Sequence, residues 1–199
     1  MFLKLLHSIA AQPFVYNQIQ IFFGSHKRKQ VIKENLLELP DGLVVLDLGG
    51  GTGFYRDLLG RNIIYICLDN DLIKLNGMNA KKNLKDFPLL ADASRIPLKD
   101  LSVDVIVCNS MSHHITEAIL ENLLSESSRV LKTTGKFLFL DAVYRSESFL
   151  NRLLWKLDRG EHPHTKAKLM SMINNYFTVV SFKEFYHFYD YVFFAGRVK

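Results

Sequence analysis

Through the middle of the chain, short apolar runs alternate with amphipathic stretches. Leu43 to Leu48 is aliphatic and β-branched, broken only by Asp47. A run that short, apolar at successive positions, predicts a strand buried on both faces of a sheet. "NIIYICLD", Asn62 to Asp69, predicts a second such strand. "FPLLADA", Phe87 to Ala93, predicts a short third, "VDVIVCN", Val103 to Asn109, a fourth, and "KFLFLDAV", Lys136 to Val143, a fifth. Between them, Phe54 to Leu59 can start a helix, and Leu72 to Leu84 has helical spacing. Ile115 to Leu131 is amphipathic, with Ile119, Leu120, Leu123 and Leu124 on its apolar face, and Gly135 breaks it. Strands alternating with helices predict a parallel sheet covered on both sides.

The two ends read differently. Met1 to about Leu39 has helical segments, with breaks at Gln12-Pro13 and Gly24-Ser25 and a close at "LPDG", Leu39 to Gly42. Its apolar start reads as a short amphipathic helix. One lysine, a His-Ser interruption and no clear cleavage box argue against a signal peptide. Beyond the fifth strand, Ser146 to about Leu157 reads as helix, "DRGEHPHT" as a polar loop, and Lys166 to Tyr176 as helix. Two aromatic-rich β runs follow with no helix between them. Parallel neighbours need a long crossover, so this pair is antiparallel, turning near Tyr189-Asp190. The expectation is seven strands, mostly parallel, with one antiparallel strand near the C-terminus.

Composition narrows the class. The chain has 199 residues, 48% of them apolar and 23% charged, which suits one globular domain rather than a disordered segment. A formal charge of +5 weakly favours an anionic partner and does not by itself indicate nucleic acid. Cys67 and Cys108 both lie in strand-like runs, as buried free thiols of a reducing cytosol would. A cytoplasmic location is therefore expected. No apolar run approaches the length of a membrane span.

The stretch "DLGGGTG", Asp47 to Gly53, carries the chemistry. Glycines directly after a central strand let backbone N–H groups approach a ligand, and a following helix would aim its positive end at the same point. Ligand crevices of open parallel sheets lie at the carboxyl ends of the strands. A tight structural turn is the plainer alternative. The dinucleotide fingerprint fails here: counted from Gly49 its sixth position is Phe54, and counted from Gly50 its third is Thr52. Gly-Lys-Ser/Thr of a phosphate loop is absent as well.

Asp47-x-Gly49-x-Gly51-x-Gly53 resembles the first motif of the class I S-adenosylmethionine-dependent methyltransferases. The resemblance continues in order through Asp69, "ADA" at Ala91 to Ala93, "VDVIVCNSMSHHI", "LLSESSRVLKTTGKFLFLD" and the terminal strand pair. It implies a Rossmann-like three-layer α/β sandwich and S-adenosyl-L-methionine as cofactor. By the same resemblance Asp69, with Asn70 beside it, faces the ribose hydroxyls, and Asp92, with Ala93, faces the adenine amine. Asp47 and the Asn109 carbonyl lie near the ammonium. Leu72 covers one adenine face or is ordinary core. His113 and His114 stand where the methyl group would sit, as a general base or as pocket lining.

The nearest likeness is to the small-molecule branch that includes quinone-biosynthesis C-methyltransferases, which implies a small-molecule acceptor. In that family the N-terminal helices and the segment between the fifth and sixth strands cover the acceptor, here residues 1–40 and 144–176, with 43–143 as cofactor core and 177–199 as the strand pair. Tyr16 and Trp155 suggest an apolar or aromatic acceptor, and Arg159, His162 and His164 a contact to its polar end. His162-x-His164 alone falls short of a metal-ligand set. Methylation of base amines is disfavoured because "NSMS" lacks the proline motif expected after the fourth strand. Cys108 follows Val107 rather than proline, so it reads as core, not nucleophile. "HKRK", His26 to Lys29, reads as a solvated helix face or, alternatively, a contact for phosphate or an acidic partner. A cofactor-binding scaffold or regulatory protein without turnover is the second class of function, and an RNA or protein methyltransferase is a further alternative.

Overall fold

The computed structural model describes residues 25–37, 39–79, 83–145, 155, 162–187 and 189–199. Tyr16, Arg159 and the N-terminal segment before Ser25 lie outside the described residues. α1 spans Ser25–Leu36 and starts at the expected Gly24-Ser25 break. β1 (Val44–Leu48), β2 (Ile64–Asp69), β3 (Asp86–Leu90), β4 (Val103–Asn109) and β5 (Leu131–Val143) run parallel, and α2 (Leu72–Asn79) and α3 (Glu117–Val130) serve as connections. α4 (Lys166–Tyr176) leads into β6 (Phe177–His187) and β7 (Tyr189–Val198). The order across the seven-stranded sheet is β3-β2-β1-β4-β5-β7-β6, and β7 is antiparallel to both of its neighbours. This is the expected Rossmann-like α/β sandwich.

Two cores lie on opposite faces of the sheet, because successive strand residues point to opposite sides. Leu46, Leu48, Ile106, Phe137 and Phe139 pack with Leu120, Leu123 and Leu124 of α3 and with Leu169 and Ile173 of α4. Val45, Tyr65, Cys67, Val105, Val107, Leu138 and Leu140 pack with Ile32 and Leu36 of α1 and with Leu75 and Met78 of α2. Asp47 alternates with Leu46 and Leu48, so it shares the α1 side with Tyr65 and Cys67. Thr116 caps α3 by accepting from the Ile119 amide, and Thr165 caps α4 in the same way from the Lys168 amide. No helix among the described residues is long and apolar enough to cross a membrane.

Several local expectations are corrected. The helix expected from Phe54 is only a 3₁₀ turn, Arg56–Leu58. Arg56 closes it: Nη1 donates to the Leu59 and Gly60 carbonyls while Nε bonds Asp86 at 2.5 Å. Ile119 is 39% exposed and faces away from the core that Leu120, Leu123 and Leu124 enter. β3 starts and ends earlier than expected. α3 gives way to strand directly at Leu131, before Gly135, and pairing with β4 skips from Leu131 to Lys136. β6 ends at His187 and β7 starts at Tyr189, so Tyr189-Asp190 belongs to β7 rather than to the turn expected there.

Candidate functional site

The carboxyl ends of β1 and β4, with the loop that follows β1, bring Asp47, Gly49, Gly50, Phe54, Tyr55, Asn109 and Ser110 around one crevice. A wider groove of about 540 Å³ lies elsewhere, between residues 94–97 and α3. The charges there satisfy each other: Arg129 bonds Glu126, Asp100 and the Ile96 and Leu98 carbonyls. That groove is a structural tie of α3 to the preceding loop, and the crevice holds the chemistry-bearing groups.

The glycine loop is shaped from within. Gly49, Gly51 and Gly53 all have positive φ, at 65°, 57° and 72°, which strongly favours glycine. Gly50 is required by crowding, since a Cβ there would sit 2.7 Å from the Cys67 sulfur and 2.8 Å from the Asp47 carboxyl. Every glycine therefore has a conformational or packing reason, and the number of glycines alone does not demand a ligand. Asp69 pins the loop: Oδ2 accepts from the Gly51 amide at 3.0 Å and Oδ1 from the Asp71 amide at 2.9 Å.

Asp47 is buried beneath this loop and accepts from the Tyr65 hydroxyl at 2.5 Å. Burial pushes its carboxyl up to about 7; the Tyr65 hydrogen bond opposes that and the Asp69 charge adds to it. Asn70 is exposed at the end of β2, and Asp92 is exposed beyond β3 while Ala93 is buried. Asp92 Oδ1 accepts from both the amide and the hydroxyl of Ser94, so this carboxylate also shapes its own turn. Leu72 is 55% exposed at the start of α2, which removes the ordinary-core alternative for it.

After β4, a second polar centre forms around a residue not singled out from the sequence. Asp141, near the end of β5, is fully buried. Its Oδ2 accepts from the Met111 amide, the Ser112 amide and the Ser112 hydroxyl, and its Oδ1 meets the Ala142 amide and His113 Nδ1 at 2.6 Å. Burial alone would raise this carboxyl. His113 and the Ser112 hydroxyl and amide overcome that and hold it down to about 2. An ionised carboxylate only accepts, so His113 carries its proton on Nδ1, and in the neutral ring Nε2 is the basic nitrogen. The signal in the sequence was an acid inside the otherwise apolar run "FLFLDAV".

Aromatic rings surround the imidazole. The His114 ring is tilted 44° against it at 4.1 Å between centroids and is itself exposed; Trp155 meets His113 edge-on at 5.6 Å and Tyr189 at 5.2 Å. The Trp155 indole N–H is buried with no acceptor among the described residues. The His162 amide bonds the His113 carbonyl at 3.0 Å, which brings the 162–164 stretch to this centre. His164 is a correction: it is buried, its Nε2 faces the Ser112 carbonyl at 3.2 Å, and it acts as a brace rather than as an open contact. Cys108 is buried core, its thiol pushed well up by burial, as the preceding Val107 suggested. Arg28 is a second correction. The "HKRK" cluster is not wholly a solvated face, because Arg28 is buried and donates from Nη1 to Ser110 Oγ at 2.7 Å.

Comparison with known proteins agrees with this architecture. Residues 46–139 match the family model of a methyltransferase domain. Over 150 residues the chain is 30% identical to the ubiquinone/menaquinone biosynthesis C-methyltransferase of Blochmanniella pennsylvanica, a match covering 69% of this chain and 57% of that protein. The chain thus spans little more than half the length of that relative. The PH0226 protein of Pyrococcus horikoshii OT3 superposes with a TM-score of 0.70 at 18% identity, covering 93% of this chain and 92% of that one. Geranyl diphosphate C-methyltransferase of Streptomyces coelicolor A3(2), solved with Mg2+, geranyl-S-thiolodiphosphate and S-adenosyl-L-homocysteine, gives 0.73 at 11% identity, covering 87% and 76%. At such identities the two structures speak for the fold alone. Motif order, sheet topology and matched span agree: residues 46–139 are a methyltransferase domain, and the chain carries the class I methyltransferase fold.

Proposed function

We propose that this chain transfers a methyl group from S-adenosyl-L-methionine to a small, partly apolar or aromatic acceptor. The observation that carries the reading is Asp47, a buried carboxylate at the crevice whose ionisation burial opposes. A cationic ligand group beside it would offset that cost, and this cofactor carries an ammonium and a sulfonium. The other groups fit as well. Each Asp69 oxygen takes one backbone N–H, which leaves acceptor capacity for two ribose hydroxyls. Gly49, Gly51 and Gly53 let main chain meet ligand, the Asn109 carbonyl serves the ammonium, and Asn70, Asp92 and Ala93 serve the nucleoside end.

When bound, the cofactor supplies an electrophilic methyl group. The chain's own task is then to hold the acceptor in line, keep water out and remove a proton where the acceptor has one to lose. His113 Nε2 is the proton-accepting atom in this reading, and Asp141 is its positioning residue. Trp155 shields the imidazole and offers its indole N–H to an acceptor oxygen; His114 lines the same place. Residues 43–143 form the cofactor side, and 1–40 and 144–176, with Tyr16, Arg159 and His162, the acceptor side. A reducing cytosol suits the two free, buried cysteines.

Calorimetry tests the cofactor. S-adenosylmethionine and S-adenosylhomocysteine are expected to bind in the micromolar range, on the order of −8 kcal/mol, and NAD and ATP not to bind. Asp69→Ala is expected to weaken that binding by about 1.5–3 kcal/mol, roughly 10–150-fold, because a charged acceptor is lost from both ribose hydroxyls. Normal binding by Asp69→Ala would put the nucleoside elsewhere. Labelled cofactor incubated with cell extract, followed by mass spectrometry, identifies the acceptor. The absence of a labelled product in any extract, with cofactor binding intact, favours the scaffold.

A further inference from the structure

We propose that the face carrying α1 docks on an anionic lipid bilayer, with α1 supplying the charge and the apolar residues before it supplying the anchor. The proposal does not depend on the cofactor reading. The charge of this chain is unevenly spread. Up to the end of α1 at Leu36 there are five cations, Lys4, Lys27, Arg28, Lys29 and Lys33, against one anion, Glu34. That is +4 of the formal +5, so everything after α1 carries only +1. Even Glu34 is neutralised, by Lys183 at 2.6 Å. α1 buries Ile32 and Leu36 against the sheet and leaves Lys27 and Lys33 exposed on its outer side. The Lys27 ammonium keeps its full charge: Nζ donates to the Tyr186 carbonyl at 3.1 Å and lies 5.5 Å from the centre of the Phe185 ring. Lys33 forms no ion pair among the described residues, while Lys29 meets Asp57 at 3.8 Å.

The place of this charge in the fold is fixed. Arg28 bonds Ser110 and Lys29 lies 4.8 Å from the centre of the Phe54 ring, and Ser110 and Phe54 both line the crevice. The basic side of α1 therefore covers the end of the sheet where the crevice opens. Tyr186, whose carbonyl Lys27 holds, is 58% exposed, and Leu37 beyond α1 is 52% exposed. A tyrosine ring beside lysines suits the boundary between headgroups and acyl chains. The occupant is indicated by what precedes α1. From Met1 to Phe23 the only charged residue is Lys4, and the stretch closes on Ile21-Phe22-Phe23 directly before "GSHKRK". Gln12-Pro13 and Asn17-Gln18 interrupt it, so it falls short of the ~20 apolar residues of a span. Interrupted apolar residues joined to a basic cluster mark a surface anchor, and stable anchoring takes both signals together. A nucleic acid would use the charge and leave the apolar stretch without a role. Docked this way, the crevice end faces the bilayer, where an apolar acceptor would partition.

Vesicle flotation of the full chain tests this. Wild type is expected to bind phosphatidylcholine vesicles containing phosphatidylglycerol roughly tenfold more tightly than phosphatidylcholine alone. Most of that preference should vanish between about 0.1 M and about 1 M salt, as the screening length shortens from ~10 Å to ~3 Å. Lys27→Gln combined with Lys33→Gln is expected to cut the preference roughly fivefold at an unchanged melting temperature. Phe22→Asp combined with Phe23→Asp is expected to abolish binding to both vesicles. Phe22→Trp reads insertion with little risk to the fold. Brominated phosphatidylcholine in the vesicles is expected to quench the added fluorescence and to leave wild type, whose single tryptophan is the buried Trp155, unquenched. Wild type that stays off both vesicles overturns the proposal, whether or not it binds RNA or an acidic protein. So does a preference for phosphatidylglycerol that survives the lysine substitutions, binding that survives both aspartates, or a Phe22→Trp that bromine does not quench.

Discussion

Asp141→Ala is expected to destabilise the folded chain by about 3–5 kcal/mol, the range for removing one partner of a buried charged cluster. The loss has a specific origin. The Met111 and Ser112 amides, the Ser112 hydroxyl and His113 Nδ1 all converge on this carboxylate, and none would find water where it lies. In a chain of this size each kcal/mol moves the melting temperature by about 2–4 °C, so a fall of roughly 10 °C is expected in a thermal scan. The pH dependence follows from the depressed carboxyl. A group held near 2 when folded, against about 3.9 when unfolded, stabilises fully above the unfolded value. That contribution disappears as pH falls through the folded one. The gap between wild type and variant should thus be constant from neutral pH down to about 4 and narrow below it. A loss under 1 kcal/mol at pH 7 would mean that the cluster is not the brace its geometry describes.

Asp141→Asn separates bracing from chemistry. The amide oxygen can still receive the Ser112 donors, so more of the fold survives than with alanine. Its NH₂ group can satisfy His113 Nδ1 only by donating to it, which moves the ring proton to Nε2. An imidazole in that tautomer has no basic nitrogen facing the acceptor. Once the acceptor is identified, Asp141→Asn is expected to lower kcat by at least a hundredfold with cofactor affinity unchanged. Equal activity would remove His113 from any role as a base.

The strands were readable because they are buried on both faces, and a run such as Val103 to Asn109 has no helical alternative that would place its apolar residues as well. α4 was readable to the residue because Thr165 caps it and β-branched and aromatic residues take over at Phe177. Asp47 and the glycine loop were readable for a different reason: they are contiguous in sequence at the carboxyl end of β1, and Asp69 closes the next strand. What escaped was assembled from a distance. Asp141 meets Ser112 and His113 only because β5 pairs with β4, and Arg28 meets Ser110 only because α1 folds across the strand ends. Neither pairing leaves a local spacing. The missing helix after Gly53 was also invisible, since Phe54 to Leu59 has acceptable helix formers. Arg56, reaching across to Asp86 on β3, ends the turn.

Asp47→Asn is expected to stabilise the ligand-free protein at pH 8 while weakening the cofactor. Between about 3.9 and 7 the folded chain holds a proton on this carboxyl that the unfolded chain has released. Stability therefore falls as pH rises through that window, and above 7 the full cost is present, on the order of 4 kcal/mol. The groups facing Asp47 do not relieve it: the Tyr65 hydroxyl donates one hydrogen bond, while the buried Cys67 thiol and the Asp69 carboxylate bring no positive charge. Asparagine keeps the Tyr65 bond through its oxygen and removes the charge. The melting temperature of Asp47→Asn should consequently exceed that of wild type by roughly 10 °C at pH 8 and converge with it near pH 4. If Asp47 faces the ammonium as proposed, the same substitution removes its counter-charge and is expected to weaken S-adenosylmethionine by about 1.5–3 kcal/mol. Wild-type affinity should also rise from pH 6 to 8, because binding favours the ionised carboxylate and releases its proton, whereas the variant should show a flat profile. Calorimetry in buffers of different ionisation enthalpy counts that proton directly. A variant that is less stable than wild type at pH 8 and binds with the wild-type pH profile would show that Asp47 serves only to hold the glycine turn.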